Sequence, residues 1–283
     1  MLARGLGADC DGGSFSGSNA SSTPSGVGNT SLHWRGKHIL NGGITDMLHN
    51  RELDVATDVV VSGCSAGGLA AFLHCEHFAE RIRAEGNASA KVVCMPDSGL
   101  FRDYQGCETA GLCSRPHYHD RLVWVFDFMN ASSGVNDACV AAEDPPSNCM
   151  FAEHTMKYLE TPTFPLQSEY DAWQVVADLG VIENGSMPVE PMQAALVNEY
   201  GANFTAVVHA NLLSRPQHSI FLDSCFHHCG GWGNYHAGPD NTTQPFAMKE
   251  WYEALDSGAP VAEPNTQKTW IQGKPYPCDA CCS

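Results

Sequence analysis

The stretch Asp58-Val-Val-Val-Ser-Gly-Cys-Ser-Ala-Gly-Gly-Leu69 centres a serine in the pattern Gly63-x-Ser65-x-Gly67. Before it, Val59 to Ser62 is short and β-branched, as a buried parallel strand is. After it, Gly68 to Arg83 carries Leu69, Phe72, Leu73, Phe78 and Ile82 at the spacing of a helix packed on a sheet. A strand that turns sharply into a helix exposes its turn residue on a strained backbone, and glycines two residues either side give the turn room. Ser65 Oγ then stands free to attack a carbonyl. The pattern alone is common in a chain rich in glycine and serine. Between this strand and this helix it points to a nucleophile, against the plainer reading of an ordinary strand-to-helix turn.

A chain of 283 residues, 43% hydrophobic and 17% charged, can build one large α/β domain with a substantial core. No run of about 18 apolar residues occurs, so no membrane-spanning helix is expected. The net charge of −17 excludes nucleic acid as a partner. Thirteen cysteines include close groups: Cys107 with Cys113, Cys139 with Cys149, Cys225 with Cys229, and Cys278, Cys281 and Cys282. Cys278-x-x-Cys281 has no second pair at zinc-site spacing, so disulfides are expected and no metal. Asn19, Asn29, Asn87, Asn130, Asn184, Asn203 and Asn241 each begin Asn-x-Ser/Thr. Disulfides and sequons together predict a secreted, extracellular or cell-wall location. The N-terminus from Met1 to Cys10 lacks the apolar stretch of a signal peptide, so the sequence is expected to be incomplete there. The odd cysteine agrees, since one thiol is left without a partner.

Residues 9–31 read as a surface loop anchored by Cys10 and Phe15. A helix is expected over His38–Leu53. The next strand is Lys91–Met95, closed by Pro96-Asp97-Ser98-Gly99. Residues 101–120 read as a loop. Leu122–Met129 and Phe151–Leu159 read as helices, with the Cys139–Cys149 loop between them. Thr161–Gln167 reads as a third strand, made irregular by Pro162 and Pro165. Pro191–Leu213 is expected to be helical, His218–Leu222 to be a fourth strand and Phe246–Leu255 a last helix. This alternation predicts a mostly parallel sheet with helices on both faces.

A serine hydroxyl needs a base to take its proton, and a histidine base needs an acid to hold its tautomer. In an α/β-hydrolase sheet the order is Ser, acid, His, each following a strand. Asp171 follows the third strand and His228 the fourth. Topology alone leaves His227 level with His228, and Glu169 competing with Asp171. Asp97 also ends a strand, one too early for the usual acid, and reads as a cap on the turn after it. His209, His218 and His236 read as surface or structural. His74, His77, His117 and His119 form no ligand array.

Gly63-Cys64-Ser65-Ala66-Gly67-Gly68-Leu69-Ala70 with His74-Cys75, Tyr170-Asp171-x-Trp173-Gln174, Ser224-Cys225-Phe226-x-His228-Cys229 and Pro275-Tyr276-Pro277-Cys278-Asp279 resemble the pectin acetylesterases. Those are secreted serine esterases related to the Notum carboxylesterases. Cys10-Asp11-Gly12-x-Ser14-Phe15-x-Gly17 and Trp34-Arg35-Gly36 match the same family, so the likeness runs from about residue 9 to the end. The resemblance implies an α/β-hydrolase-like fold and a triad of Ser65, Asp171 and His228, with His228 preferred over His227. It also implies a disulfide between Cys139 and Cys149.

Family members carry, ahead of the Cys-Asp-Gly motif, an opening strand and a Gly-Gly-Gly-Trp-Cys-like loop that supplies part of the oxyanion hole. Nothing here matches it. Residues 1–283 are therefore expected to form a single α/β-hydrolase-like domain lacking that strand and loop. Losing one oxyanion donor costs about 10²–10³ in rate, and only the Ala66 N–H remains assured. Gly12-Gly13 and Gly42-Gly43 are weaker substitutes, because Gly12 already fills another family position.

The expected chemistry is acyl transfer through Ser65, His228 and Asp171, with no cofactor. Its substrate would be acetyl esters on pectin or another cell-wall polysaccharide, although −17 opposes approach to a polyanion. Two alternatives stand beside it: a Notum-like deacylase acting on a fatty acyl group of a protein, and an inactive glycosylated binding protein.

Overall fold

A computed structural model describes residues 11–24, 26, 29–104, 118–180, 191–230, 235–238, 240–256, 263, 266–278 and 281–282. Cys10, Cys107, Cys113, His117 and Asn184 lie outside the described residues. In chain order the elements are β1 (Ser22–Pro24), β2 (Ser31–His33), α1 (Gly36–Asn50), β3 (Asp58–Cys64), α2 (Ala66–Glu85), β4 (Lys91–Asp97), α3 (Tyr118–Phe128), α4 (Asp137–Ala142) and α5 (Ala152–Thr155). They continue with β5 (Leu166–Ser168), α6 (Ala172–Leu179), α7 (Pro191–Val207), β6 (Phe221–Asp223), β7 (His236–Ala237), β8 (Thr242–Thr243), α8 (Gln244–Ala254) and β9 (Trp270–Ile271).

Among the described residues the central sheet has five parallel strands, in the order β3-β4-β5-β6-β9. Alternation along β4 explains the layers, because successive side chains of a strand point to opposite faces. Val92 packs with Ile44 and Leu48 of α1 and Ile82 of α2, whereas Val93 and Met95 pack with Phe164, Ala247 and Trp251 against α8. Helices therefore cover both faces, as expected of an α/β-hydrolase-like chain. Among the described residues β3 is an edge strand, and its Val60 is 44% exposed.

Several expected elements change shape. The loop expected over 9–31 holds β1 and part of a hairpin, with Ser22 opposite His33. The third strand is confined to Leu166–Ser168, joined upstream by a single bridge between Cys94 and Thr163. Proline lacks the N–H that a ladder needs, so Pro162 and Pro165 interrupt the pairing. The Cys139–Cys149 stretch contains α4 and a 3₁₀ turn over Pro146–Met150, and Phe151–Leu159 divides into α5 and a second 3₁₀ turn, Met156–Tyr158. The long helix ends at Val207 and continues as a π turn over Val208–Leu212. β7, β8 and β9 are only two residues each, too short to show a period of two in the sequence.

Disulfides join Cys64 to Cys229, Cys75 to Cys94, Cys139 to Cys149, Cys225 to Cys282 and Cys278 to Cys281. Cys225 and Cys229 lie four residues apart yet bond to different partners. Among the described residues no helix is long and apolar enough to cross a membrane.

Candidate active site

Ser65 stands between the last residue of β3 and the first of α2, with φ 58° and ψ −121°. Positive φ is costly for a residue with a Cβ. The turn persists because its surroundings fix it on both sides. The Ser65 N–H donates to Asp97 O (2.9 Å), and Ser65 O accepts from Leu69 N–H (2.9 Å). A Cβ on Gly63 would fall 2.4 Å from Gly67 O, and one on Gly68 would fall 2.5 Å from Asp97 O. Only glycines allow this strand, this helix and the next strand to approach so closely.

His228 lies on the loop that follows β6. Its Nε2 is 2.8 Å from Ser65 Oγ, and its Nδ1 is 2.8 Å from Asp171 Oδ2 and 3.0 Å from Oδ1. Asp171 is fully buried at the start of α6, where Oδ1 also accepts the Trp173 and Gln174 N–H groups and Oδ2 accepts from Gln167 Nε2. A carboxylate so placed can only accept, so Nδ1 carries the ring proton and Nε2 presents its lone pair to the serine. His228 thus bridges Ser65 and Asp171, and the geometry lets a proton pass from Ser65 to His228.

The histidine loop is tied down near this point. Cys229 is bonded to Cys64, its N–H donates to Ser98 Oγ (2.8 Å), and the Gly230 N–H donates to Asp97 Oδ2 (3.3 Å). Asp97, expected to cap its own turn, accepts from the Ser98 hydroxyl within that turn (3.1 Å) and also helps hold the loop that carries His228. His227 belongs to a different pair. Its Nε2 meets both oxygens of Asp223 (3.0 and 3.1 Å), and its ring stacks on Tyr235. Burial opposes charge on His227, but the Asp223 carboxylate outweighs it and raises the pKa. Glu169 accepts from the Thr205 hydroxyl (3.3 Å) and the Ser224 hydroxyl (3.4 Å), away from the Asp171–His228 contact. Burial pushes its pKa up to about 7.

Other histidines have structural partners. The His218 ring accepts from the Thr163 N–H and its second nitrogen meets Leu159 O, while His77 meets Asn41 and His119 meets Asp103. His74 is buried, with Nε2 2.8 Å from Ser14 O, and burial pushes its pKa down to about 3. That contact fixes the Asp11–Gly17 loop on α2. Ser14 Oγ, in turn, donates to the carbonyl of Ala66 (3.0 Å), at the start of α2. Of the two glycine pairs weighed as oxyanion donors, Gly42-Gly43 lies inside α1, where N–H groups serve the helix. The Gly13 N–H is held by Asp11 Oδ1 (3.2 Å). Among the described residues no group of three His, Cys, Asp or Glu is arranged for a metal ion.

An aromatic wall flanks the histidine. Phe101 packs edge-on to Trp173 (5.0 Å between ring centres), and Tyr118 packs on Trp173 (5.4 Å) and Phe101 (5.6 Å). Phe101 and Trp173 lie 6.3 and 6.4 Å from the His228 ring. Sequence reasoning missed this wall, because its three residues come from separate segments. It also missed the Cys64–Cys229 bond, although each cysteine adjoins a proposed site residue.

The fold has known counterparts. Over 97% of the chain it superposes on 73% of a Drosophila structure described as the Wnt deacylase Notum, with a TM-score of 0.74 and 21% identity. Among curated proteins, Arabidopsis thaliana Pectin acetylesterase 5 is 28% identical over 96% of this chain and 62% of its own length. Pectin acetylesterase 4 of the same plant is 27% identical over 96% of this chain and 64% of its own length. The chain thus spans less than two thirds of the length of either relative. The Pectinacetylesterase family model matches residues 8–283, a stretch that holds Ser65, Asp171 and His228 together with all five described disulfides, and the chain belongs to that family.

Proposed function

We propose that this chain is a secreted serine esterase that removes acetyl groups from pectin or another cell-wall polysaccharide. Its single strongest support is the continuous contact Ser65 Oγ–His228 Nε2, His228 Nδ1–Asp171. His228 accepts the Ser65 proton as Oγ bonds to the ester carbonyl carbon, and Asp171 orients the ring and stabilises its charged form. The oxyanion that forms is held by the Ala66 N–H, one residue past the nucleophile. As the carbonyl re-forms, the C–O bond to the sugar alcohol breaks and His228 returns the proton to it. Water, deprotonated by His228, then cleaves the acetyl-serine by the same route, releasing acetate.

The family and the curated relatives support the acetyl ester class, and five disulfides support an oxidising compartment. The alternative, removal of a fatty acyl group as in the Drosophila deacylase, draws on the shared fold. Phe101, Tyr118 and Trp173 favour the shorter acyl group, because three aromatic rings occupy apolar volume beside His228.

The test is a fluorophosphonate probe on the purified chain, with Ser65→Ala and His228→Ala as controls, followed by acetyl- and octanoyl-ester assays. Labelling that needs both residues, with acetyl preferred, supports the proposal. Octanoyl preference moves the reading to a fatty deacylase. A folded chain that is never labelled overturns the esterase reading of residues 1–283.

A further inference from the structure

The outer side of α8 and the β7–β8 hairpin line an open groove of about 580 Å³, with Asp240, Thr242, Phe246, Lys249, Glu250 and Glu253 among its lining. Phe246, Lys249, Glu250 and Glu253 fall three and four residues apart, so they share one face of α8. Two features of this groove are otherwise unaccounted for. Phe246 is 69% exposed, an apolar ring in an acidic, polar setting. Asn241, also in the lining, begins the sequon Asn241-Thr242-Thr243 and sits exposed at the hairpin tip with φ 48°.

We propose that Asn241 carries an N-linked glycan and that its first sugars lie in this groove, with an apolar pyranose face against the Phe246 ring. The covalent step joins Asn241 Nδ2 to the anomeric carbon of a lipid-diphosphate-linked oligosaccharide. The lipid diphosphate departs with the bonding electrons, and the amide proton is lost to a base of the transferase. Asparagine tolerates the left-handed conformation at the tip, and a turn there presents its amide to solvent. The polar rim then supplies hydroxyl partners: Asp240, Glu250 and Glu253 accept, and Lys249 donates. The groove is braced by the protein's own contacts, because Lys268 bridges Asp240 (3.1 Å) on the hairpin side to Glu250 (2.7 Å) on α8.

Two other sequons show the opposite arrangement. Asn19 Nδ2 donates to Phe128 O (2.9 Å) while its Oδ1 accepts from Ser21 N–H (2.9 Å). Asn87 Nδ2 donates to Ala56 O (3.0 Å) while its Oδ1 accepts from Ser89 N–H (3.0 Å). Both amides are committed to backbone on both sides, whereas Asn241 is exposed. The inference is independent of the esterase reading, since it concerns neither Ser65 nor the ester.

The full chain, directed by an added leader into the secretory pathway of a eukaryotic host, is analysed by glycopeptide mass spectrometry. Asn241 should be modified in most molecules. Native deglycosylation at Asn241 should be slower than at other modified sites, and Phe246→Ala should speed it several-fold. Phe246→Ala should also lower Tm in the glycosylated protein, and should leave Tm unchanged in the Thr243→Val background, which removes the sequon while keeping Asn241. An unmodified Asn241 in folded, secreted protein overturns the proposal. So does a modified Asn241 whose release is unaffected by Phe246→Ala, because the sugar then lies outside the groove.

Discussion

Cys64 and Cys229 are joined by a disulfide, and each adjoins a member of the proposed triad: Ser65 follows the first and His228 precedes the second. One covalent bond therefore fixes the distance between nucleophile and base across 165 residues of sequence. The sharp turn at Ser65 and the loop at His228 are each held by other contacts, but this bond is the covalent link between them.

Replacing both cysteines by alanine should affect stability and reactivity together. Releasing so long a loop costs about 5 kcal/mol on the chain-entropy account of disulfides. Differential scanning calorimetry should show the fall in Tm. Below that lower Tm, fluorophosphonate labelling of Ser65 should slow by tenfold or more, as the His228 loop loses its fixed position. Unchanged labelling in the folded double variant would mean that Ser98 and Asp97 suffice to place the loop.

Asp171 does two jobs with one carboxylate, capping α6 through the Trp173 and Gln174 N–H groups and accepting from His228. Asparagine keeps an acceptor for the cap but no longer fixes the ring tautomer. Asp171→Asn should therefore lower kcat by about 10⁴, the loss seen for that change in a serine protease triad, while Tm changes little. Asp171→Ala should add a stability loss of about 1 kcal/mol from the missing cap. A kcat loss below tenfold for Asp171→Asn would remove Asp171 from the triad.

The parts visible in the sequence are those carried by local pattern. The strand, glycine-flanked turn and helix around Ser65 could be placed because a β-branched run, two glycines and a helical spacing coincide within 26 residues, Asp58 to Arg83. Asp171 and His228 were placed by strand order and by resemblance, which separated His228 from His227. Physics explains why position alone could not: the two rings are neighbours, and only tertiary contacts send one to Asp171 and the other to Asp223. The disulfide partners of Cys64 and Cys225 and the wall of Phe101, Tyr118 and Trp173 join distant segments, so no window of sequence contains them. β5 shrank because two prolines cannot donate to a ladder, and β9 was missed because two residues carry no period.

Trp173→Ala should widen the acyl preference. Its ring packs on Phe101 and Tyr118 beside His228, and its own exposure of 39% leaves part of it in solvent. Removing it opens apolar volume for additional methylenes, each worth about 0.8 kcal/mol when buried. The octanoyl-to-acetyl ratio of kcat/KM should rise by about tenfold, within the range that pocket contacts usually supply. A ratio unchanged in an active, folded variant would place the acyl group elsewhere.

Glu169 should make the fold less stable as pH rises from about 4.5 to about 7. Burial raises its pKa from 4.5 to about 7 in the folded chain, so between those values the folded state holds a proton that the unfolded state has lost. Its favourable contribution is therefore complete below about pH 4.5 and is lost progressively up to about pH 7. The shift corresponds to at most about 3 kcal/mol. Glu169→Gln keeps acceptor and donor capacity toward Thr205 and Ser224 while removing the titration. Urea unfolding at pH 5 and pH 8 should show wild type losing stability across that interval by more than the variant does, with Glu169→Gln the more stable protein at pH 8. Parallel pH profiles for the two proteins would mean that Glu169 ionises normally despite its burial.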